Sequence, residues 1–463
     1  MSEKEQRIIV VGGGPGGYVA AIEASHCGAK VTLIEKDALG GTCVNRGCIP
    51  TKALVQTANM LHEIGRAGEY GIVVNGYALD FIKASERKSK IVKQLRDGVA
   101  YLMKKNKITV LHGTASILDS GRVLVSGNER QEISADKIII ASGSQPGSIP
   151  VEGVEDKGVM NSDDALEMKI LPKKMVVIGG GVIGLEFAQI FKRMSVDVSV
   201  IEMMPQILPT EDHDIARHLE RALKKEGIDI YVNAKVACIT TAPSGEKQVL
   251  FTVNGIEKAL ECEKALVAVG RVPYTEGLGL EQIGIALEKG RIPVNERMET
   301  TVKNVYAIGD AAGGLMLAHK AMAEGRCAAK NALGIESAMN YKAVPRCIWT
   351  SPEVAAVGLT ELQAREQHDD VKVGSFPFTA NGKAKIIGET QGFVKIISES
   401  RYGEILGVHI LGPHATEMIA ESVLGMQMEA SFHCLNETIH PHPTLSEALV
   451  EAGLGLEGKS IHI

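Results

Sequence analysis

The sequence predicts an α/β protein in which two strand–turn–helix–strand units precede a C-terminal α+β domain. Three observations lead to this prediction. A buried strand followed by a run of glycines occurs twice, in residues 7–35 and 174–202. Glycine is abundant, with 50 residues in a chain of 463, and aromatic residues are only 4%, which suits tight turns between strands and helices. Beyond Pro345 short alternating strands and two helices indicate an antiparallel domain.

The length and charge of the chain limit the classes of protein to consider. A chain of 463 residues suggests three or four domains. The net charge is −6 without a long run of one sign, so neither nucleic acid nor an anionic membrane is expected as a partner. Residues 1–7 lack the features of a signal peptide, and no apolar run approaches a membrane span. We therefore expect a cytoplasmic protein.

The two glycine-rich units have the pattern of Rossmann-like dinucleotide-binding domains. The first glycine permits a tight turn, the second lets backbone N–H groups approach a pyrophosphate, and the third lets the helix pack closely on the sheet. These glycines are Gly12, Gly14 and Gly17 in the first unit and Gly179, Gly181 and Gly184 in the second, at a constant offset of 167. Two coincidental turns are the alternative, but strands, helices and terminal acids match as well. Two units predict two bound dinucleotides.

Each unit ends in an acidic residue that can recognise a ribose. Glu35 and Glu202 lie 18 residues beyond the third glycine of their units, where a carboxylate can accept hydrogen bonds from ribose hydroxyls. A carboxylate at Glu202 would also repel a 2′-phosphate, so the second unit is predicted to prefer NAD to NADP.

Cys43 and Cys48 follow the first unit and predict thiol chemistry beside its dinucleotide. A zinc site usually needs a second pair of ligands, which the sequence lacks, and a structural disulfide is a further alternative. Pro50 and Thr51 suit a helix that starts just after Cys48, and a helix N-terminus lowers a thiol pKa. Cys48 could therefore hold a thiolate against the cofactor while Cys43 exchanges with substrate. The other six cysteines are isolated and are interpreted as small buried hydrophobic residues.

Two further pairs are candidates for catalytic roles. Lys52 could place a cation near the reduced cofactor and Glu186 could pair with it, although spacing alone favours two ordinary surface charges. His442 is a candidate base for forming the attacking thiolate, and Glu447 is close enough in sequence to orient it. A metal site or a structural histidine are the alternatives for His442.

The remaining segments are predicted from their apolar patterns. Apolar positions at helical spacing predict an amphipathic, solvated helix over about residues 80–106. Short buried strands are predicted at 137–141, 264–269 and 305–310, and the strands beyond Pro345 at 393–397 and 405–411.

At this point several motifs are identified as those of a known family. Three motifs accompany the two glycine-rich units. They are Gly-Gly-Thr-Cys-x-Asn-x-Gly-Cys-Ile-Pro-x-Lys at 40–52, Ala-Ile-Gly-Asp-Ala-Ala at 307–312 and His-Pro-Thr-x-Ser-Glu at 442–447. The chain resembles the flavoprotein disulfide reductases along nearly its whole length. Within them it is most similar to the branch that oxidises dihydrolipoamide with NAD⁺.

The resemblance implies FAD in the first unit and NAD in the second. The FAD site implied comprises Gly12, Gly14, Pro15, Gly16, Gly17, Glu35, Lys36, Gly41, Thr42, Lys52, Ala115, Ser142, Gly143, Gly309, Asp310 and Ala318. The NAD site implied comprises Gly179, Gly181, Val182, Ile183, Gly184, Glu202, Val236, Gly270 and Arg271. No metal is expected.

The resemblance also implies the catalytic groups, the domains and the partners. Cys43 and Cys48 would form the redox disulfide, and His442 with Glu447 the base pair. An FAD-binding domain would span 1–146, an NAD-binding domain 147–270, a central domain completing the FAD site 271–340, and a dimerisation domain 341–463. The last would deliver His442 into the partner subunit's site. The substrate would be carried on a lipoyl domain of another protein, within a 2-oxo acid dehydrogenase complex with its E2 core or on the H-protein of the glycine cleavage system.

Two departures from the family and two rival functions remain. Arg46 stands where Val is commoner and Pro441 where Ala is commoner; our hypothesis is that Arg46 lowers a thiol pKa or alters the substrate mouth. The rival functions are reduction of another disulfide or of a metal ion on the same machinery, and a subunit whose main role is docking within a complex.

Overall fold

The computed structural model describes residues 5–463. Residues 1–4, part of the stretch that argued against a signal peptide, lie outside the described residues. The predicted α/β class with a C-terminal α+β domain is confirmed. Each glycine turn connects a strand of a parallel sheet to a helix, and the C-terminal region forms an antiparallel sheet. Among residues 5–463, no helix combines the length and the apolar composition that a bilayer span requires.

The strands are numbered in chain order. They are β1 (Arg7–Val11), β2 (Lys30–Glu35), β3 (Thr109–His112), β4 (Thr114–Asp119), β5 (Arg122–Ser126), β6 (Arg130–Ser134), β7 (Lys137–Ile140), β8 (Ser144–Pro146), β9 (Val159–Met160), β10 (Lys174–Ile178), β11 (Asp197–Ile201), β12 (Asp229–Tyr231), β13 (Ala234–Thr241), β14 (Lys247–Val253), β15 (Ile256–Cys262), β16 (Lys264–Val267), β17 (Arg271–Pro273), β18 (Val305–Ala307), β19 (Arg346–Ile348), β20 (Glu353–Gly358), β21 (Val371–Pro377), β22 (Phe393–Glu399) and β23 (Ile405–Gly412).

The α-helices are numbered in the same way. They are α1 (Pro15–His26), α2 (Gly41–Arg46), α3 (Cys48–Arg66), α4 (Phe81–Lys105), α5 (Ser162–Leu166), α6 (Val182–Arg193), α7 (His213–Lys225), α8 (Ala318–Ala332), α9 (Glu361–Gln367), α10 (Gly382–Ile386), α11 (Ala415–Gln427), α12 (Phe432–Glu437) and α13 (Glu447–Gly455). Short 3₁₀ turns occur at Ala67–Tyr70, Glu281–Ile283, Gly309–Ala312 and Phe378–Ala380.

The first glycine unit forms the centre of a parallel five-stranded sheet in the order β18-β7-β1-β2-β3. Four of the five residues of β1 are buried, as expected for a strand covered on both faces. Helix α1 buries only small residues, among them Gly17, Ala20 and Ala24, and it packs against α8. Small side chains allow these two helices to approach closely, which places the N-terminal end of α8 beside the first glycine turn.

The second glycine unit forms an equivalent sheet in the order β12-β11-β10-β16-β9. Helix α6 buries large side chains, including Phe187 and Phe191, whose stacked rings are 5.8 Å apart. The antiparallel ribbon β8–β17 links the segments that leave the two parallel sheets, with Arg271 opposite Pro146 and Pro273 opposite Ser144. The chain therefore passes between the two dinucleotide units close to residues 142–146.

The region beyond Pro345 forms an antiparallel sheet in the order β19-β20-β23-β22-β21. The strands predicted at 393–397 and 405–411 are β22 and β23, and every residue of β23 is buried. The prediction of two helices here is wrong, because the structure has five, α9 to α13. Three of them, α9, α10 and α12, have only five to seven residues, too few for a helical repeat to show in the sequence.

The other predicted elements lie where expected, with small differences at their ends. The amphipathic helix predicted over about 80–106 is α4. The strands predicted at 137–141, 264–269 and 305–310 end earlier, at Ile140, Val267 and Ala307. In each case the chain leaves the sheet into a turn before the apolar pattern ends. These turns carry several of the predicted site residues.

A buried histidine in the C-terminal sheet leads to a prediction about stability. His409 lies opposite Lys395 in the sheet, its side chain is 0% exposed, and its Nε2 is 2.8 Å from the Leu359 carbonyl oxygen. Burial lowers the pKa of His409, although the nearby Asp212 acts in the opposite direction. The folded protein therefore holds His409 neutral at a pH where the unfolded chain binds a proton.

Because the unfolded state then binds more protons, the free energy of unfolding is expected to fall between about pH 7 and pH 5, by up to about 1.4 kcal/mol per pH unit for this one group. Urea unfolding at a series of pH values measures that slope. In the variant His409→Gln the pH dependence of the free energy of unfolding should be weaker by the contribution of this one histidine. An identical slope in the wild type and the variant would contradict the prediction.

Candidate active site

The first glycine turn has the shape of a dinucleotide cradle. Gly12 has a φ of +104°, and a Cβ at this position would lie 2.3 Å from the Ala141 carbonyl oxygen. A Cβ on Gly17 would lie 1.9 Å from the Gly12 oxygen, so this glycine is required by the packing of α1 on the sheet. At Gly14 the nearest atom is the Gly41 Cα at 3.8 Å. No protein contact therefore requires glycine at position 14, and the free space lies at the N-terminal end of α1.

The second turn repeats this geometry. Gly179 has a φ of +115°, and a Cβ on Gly184 would lie 1.9 Å from the Gly179 oxygen. A Cβ on Gly181, the N-cap residue of α6, would have no atom within 4 Å. Both turns thus keep an open space in front of a helix of twelve residues, where the helix dipole favours an anionic group. The residues fit the pyrophosphates of two dinucleotides.

The acids at the end of each unit are held in the same way. Glu35 accepts hydrogen bonds from the backbone N–H groups of Gly13 at 2.7 Å and Asp37 at 2.8 Å. Glu202 accepts them from Gly180 at 2.6 Å and Met204 at 2.7 Å. Both side chains are buried at 7% exposure. A carboxylate has about four lone-pair sites, so each acid is fixed beside its glycine turn and can still accept a further hydroxyl.

The two thiols lie at the junction of α2 and α3, where Gly47 separates the helices. Helix α3 begins at Cys48 itself, and the Cys43 and Cys48 side chains, both free thiols, are hydrogen-bonded to each other. The hydrogen bond from Cys43 and the cation of Lys52 lower the pKa of Cys48 to about 7, against the effect of burial. The same contact and burial raise the pKa of Cys43. The arrangement therefore stabilises a thiolate on Cys48 and a protonated thiol on Cys43.

Lys52 and Glu186 form an ion pair beside the thiols, although 134 residues separate them. The Lys52 Nζ lies 2.8 Å from each carboxylate oxygen of Glu186. The Glu186 side chain is 4% exposed, so the interpretation of these residues as ordinary surface charges is wrong. Trp349, the only tryptophan of the chain, donates its backbone N–H to Glu186 at 3.0 Å and places its ring 4.3 Å from the Lys52 Nζ. No motif in the sequence marks Trp349 as a partner of this ion pair.

The pKa of Cys48 leads to a testable pH profile. In the reduced protein the rate of alkylation of Cys48 by iodoacetamide is expected to rise with a midpoint near pH 7. The variant Lys52→Met should raise the midpoint by about one pH unit, because it removes a cation and leaves the charge of Glu186 uncompensated. Peptide mass spectrometry identifies the alkylated cysteine, and Lys105→Met on the exposed end of α4 is the control. A midpoint near that of an ordinary thiol in the wild type would contradict the prediction.

Arg271 lies among residues predicted for FAD, although it was predicted for the NAD site. Its Nε and one terminal nitrogen donate to the Ser144 hydroxyl and carbonyl oxygens at 2.8 Å each. The Ser144 hydroxyl donates to the Asp310 carboxylate at 2.5 Å. A second, longer contact of 3.5 Å joins Arg271 to the Thr42 hydroxyl. The ribbon β8–β17 brings these residues together, and Ser144 was missed because no motif marks it.

The remaining residues predicted for cofactors lie around the two turns or in the nearby core. Lys36 places its Nζ 3.4 Å from the centre of the Tyr274 ring, and the Ser142 hydroxyl donates to the Tyr274 carbonyl oxygen at 2.6 Å. Ala318 is the first residue of α8. Ala115 and Val236 are buried, at 5% and 9% exposure, in the apolar cores of β4 and β13. Their side chains therefore lie mostly within the apolar core.

His442 and Glu447 form a hydrogen-bonded pair at the start of α13. The His442 Nδ1 lies 2.8 Å from one Glu447 oxygen, and the other accepts the Thr444 N–H at 2.8 Å. These two contacts lower the pKa of Glu447 against the effect of its partial burial. The His442 side chain is 79% exposed. Within residues 5–463 no hydrogen bond or ion pair joins it to Cys43 or Cys48.

The structure pairs Arg46 with an acidic residue, and its hypothesised effect on the substrate mouth stays a prediction. Its guanidinium forms an ion pair with Asp37, whose backbone N–H binds Glu35. Its charge influences the carboxyls of Glu35 and Asp163 and is not among the main influences on either cysteine. Arg46 therefore supports the loop beside Glu35.

Comparisons with known proteins place this site in a family. Residues 6–325 match the model of the pyridine nucleotide-disulphide oxidoreductases, and residues 344–453 match the dimerisation domain of the same family, which supports a homodimer. A dihydrolipoyl dehydrogenase of Bacillus subtilis is 43% identical over 98% of this chain and 99% of its own length.

Solved structures agree with this assignment. LpdA from Mycobacterium tuberculosis has a TM-score of 0.89 at 28% identity, over 97% of this chain and 99% of that one. The HOCl-induced flavoprotein disulfide reductase RclA from Escherichia coli has a TM-score of 0.86 at 32% identity, over 96% and 99%. Together with the thiol pair and the two dinucleotide cradles, these matches show that the chain belongs to the pyridine nucleotide-disulphide oxidoreductase family.

Proposed function

We propose that the protein is an FAD-dependent dihydrolipoamide dehydrogenase that oxidises dihydrolipoamide to lipoamide and reduces NAD⁺ to NADH. The observation that carries the proposal is the Cys43–Cys48 pair, with a Cys48 pKa of about 7, next to a dinucleotide cradle. Relatives with this name are 41–43% identical over nearly the full chain.

The residues around the two cradles fit the two cofactors. The open space at Gly14 and the fixed carboxylate of Glu35 suit FAD, with Asp310 on its ribityl and phosphate part. The open space at Gly181 and the carboxylate of Glu202 suit NAD, because a fixed anion disfavours a 2′-phosphate. Bound FAD supplies the two-electron transfer between the thiols and NAD⁺.

The chain's own side chains perform the thiol chemistry. His442 takes the proton of one substrate thiol, the thiolate formed attacks the Cys43 sulfur of the Cys43–Cys48 disulfide, and Cys48 leaves as a thiolate. The second substrate thiol then attacks the substrate sulfur of the mixed disulfide, while His442 gives its proton to the departing Cys43 sulfur and takes the proton that the second thiol loses. Lipoamide is released with its sulfurs joined, Cys43 departs as a thiol, and the electron pair gained by the protein resides on the cysteines. Glu447 holds the imidazole so that Nε2 faces the substrate.

The base for each thiol pair is proposed to be His442 of the partner subunit. Within residues 5–463 the histidine is exposed and no hydrogen bond or ion pair joins it to the thiols, and the region that contains it matches a dimerisation domain. A dimer in which each C-terminal region covers the other subunit's α2–α3 junction would complete two sites. The proposed units are an FAD-binding domain at 1–146, an NAD-binding domain at 147–270, a central domain at 271–340 and an interface domain at 341–463.

The substrate is proposed to arrive on a lipoyl domain of another protein. A cytoplasmic 2-oxo acid dehydrogenase complex, with this protein bound to its E2 core, or the H-protein of the glycine cleavage system would supply it.

The test is the reduction of NAD⁺ by free dihydrolipoamide, with NADP⁺ in a parallel assay. Rapid turnover with NAD⁺ and little with NADP⁺ is the expected result. Equal rates with both nucleotides would contradict the role of Glu202. If the protein does not turn over but NADH still reduces its FAD, the assignment of dihydrolipoamide as substrate is wrong, and the substrate is another disulfide or a metal ion.

A further inference from the structure

The turn that carries Asp310 is anchored at both ends by a buried ion pair outside the sites described above. The turn spans Gly309–Ala312 and follows β18. Gly309 and Gly313, at its two ends, have φ values of +68° and +82°. Glycine at both ends leaves the backbone of the turn with many alternative conformations. The Ser144 hydroxyl holds the Asp310 carboxylate at 2.5 Å, and contacts at the two ends of the turn are needed to hold its backbone.

Lys320 and Glu324 supply those contacts from one face of α8. They lie one helical turn apart, their side chains are 3% and 2% exposed, and Nζ and Oε1 are 3.0 Å apart. The Glu324 Oε2 accepts the Gly309 N–H at 2.7 Å, and the Lys320 Nζ donates to the Gly313 carbonyl oxygen at 2.8 Å. Each member of the pair thus holds one end of the turn.

Tyr341 completes the hydrogen bonding of Glu324. Its hydroxyl donates to the Glu324 Oε1 at 2.7 Å, and burial together with this carboxylate raises the pKa of Tyr341, so it stays a donor. Burying two charges is costly, and an apolar pair of the same size often serves stability as well or better. The retention of a charged pair here is explained by its hydrogen bonds to the turn.

We propose that the Lys320–Glu324 pair is a positioning device that fixes the backbone of the turn, and through it the Asp310 carboxylate, for FAD. This inference rests on the proposed function, since it concerns the retention of that cofactor. Glutamine at position 324 would offer one acceptor oxygen to three donors, from Gly309, Lys320 and Tyr341. At least one buried donor would lose its partner and the turn would lose its anchor.

The experiment measures the rate at which FAD leaves the holoenzyme after dilution, followed by the rise of free flavin fluorescence. The proteins are the wild type, Glu324→Gln, Asp310→Asn and the double variant, with Arg326→Gln on the exposed face of α8 as the control. Glu324→Gln should release FAD at least about tenfold faster, and Arg326→Gln at the rate of the wild type. In the Asp310→Asn background the Glu324→Gln change should alter the rate of FAD release less than about twofold, because both substitutions weaken the same interaction between Asp310 and FAD.

Three results would overturn the inference: an unchanged rate in Glu324→Gln, equal fold-changes in both backgrounds, or an equal effect of Arg326→Gln. A purely structural loss of stability would give the second of these. If Glu324→Gln does not fold, Tyr341→Phe removes one hydrogen bond from the same carboxylate, and its effect must likewise vanish in the Asp310→Asn background. A wild-type protein that purifies without FAD would overturn the proposed function instead.

Discussion

Replacement of Cys48 by serine is expected to abolish the oxidation of dihydrolipoamide, with a loss of kcat of at least about a thousandfold. Without Cys48 the disulfide cannot form, so the substrate thiolate has no bond to cleave, and the thiolate stabilised at a pKa of about 7 is lost. Cys43→Ser is expected to have an effect of the same size, because it removes the sulfur that the substrate attacks. NAD⁺ reduction by dihydrolipoamide measures both variants.

The control is Cys434, which is exposed and so departs from the prediction that the six isolated cysteines are buried. Its replacement by serine should leave turnover unchanged. Both active-site variants should also retain FAD that NADH can reduce, because neither cysteine belongs to the glycine turns of the two cradles. A Cys48→Ser protein with full turnover would refute the mechanism. Loss of FAD in the same variant would show that its inactivity has a structural cause.

Replacement of His442 by glutamine is expected to lower kcat/KM for dihydrolipoamide by about 10²–10⁴-fold at neutral pH. Glutamine cannot accept the proton of the substrate thiol, and Glu447 then has no imidazole to orient. The matched control is the exposed His462. Its Nδ1 lies 2.7 Å from the carboxylate of Glu451, which is one helical turn after Glu447 in α13. His462→Gln should keep most of the activity.

A mixture of two inactive proteins tests whether His442 acts between subunits. A heterodimer of one Cys43→Ser subunit and one His442→Gln subunit contains one intact site if the histidine serves the partner's thiols, and none if it serves its own. Co-refolding or co-expression of the two variants should therefore restore up to about half of the wild-type activity per heterodimer, or about a quarter per dimer in a statistical mixture. Activity that stays at the level of the parent variants in an isolated heterodimer would place His442 in the thiol site of its own chain.

Several parts of the site could be predicted because they depend on short stretches of chain. The glycines of the two turns follow from backbone geometry within one strand–helix unit, and the structure has φ values of +104° and +115° at Gly12 and Gly179. Cys48 begins a helix, as Pro50 and Thr51 indicated. His442 and Glu447 are five residues apart and form a hydrogen bond. Residues close in sequence meet for local reasons, so their pattern carries the information.

Other parts could not be predicted because the partners come from distant elements. Spacing favoured surface charges for Lys52 and Glu186, and only the packing of α3 against α6 buries their pair. Arg271 ends the segment after β16, and the ribbon β8–β17 turns its guanidinium towards Ser144 and Asp310. The short helices α9, α10 and α12 have too few residues for a detectable period.

The sequence by itself determined the α/β class, the two dinucleotide cradles, the thiol pair and the candidate base, since each rests on chemistry encoded within about thirty residues. Only the tertiary structure decided which charges meet: Lys52 with Glu186, and Lys320 and Glu324 with the two ends of the Asp310 turn. The physical reason is that these contacts depend on how sheets and helices pack against one another. Packing is set by shape and volume over the whole core, and no repeat along the chain records it.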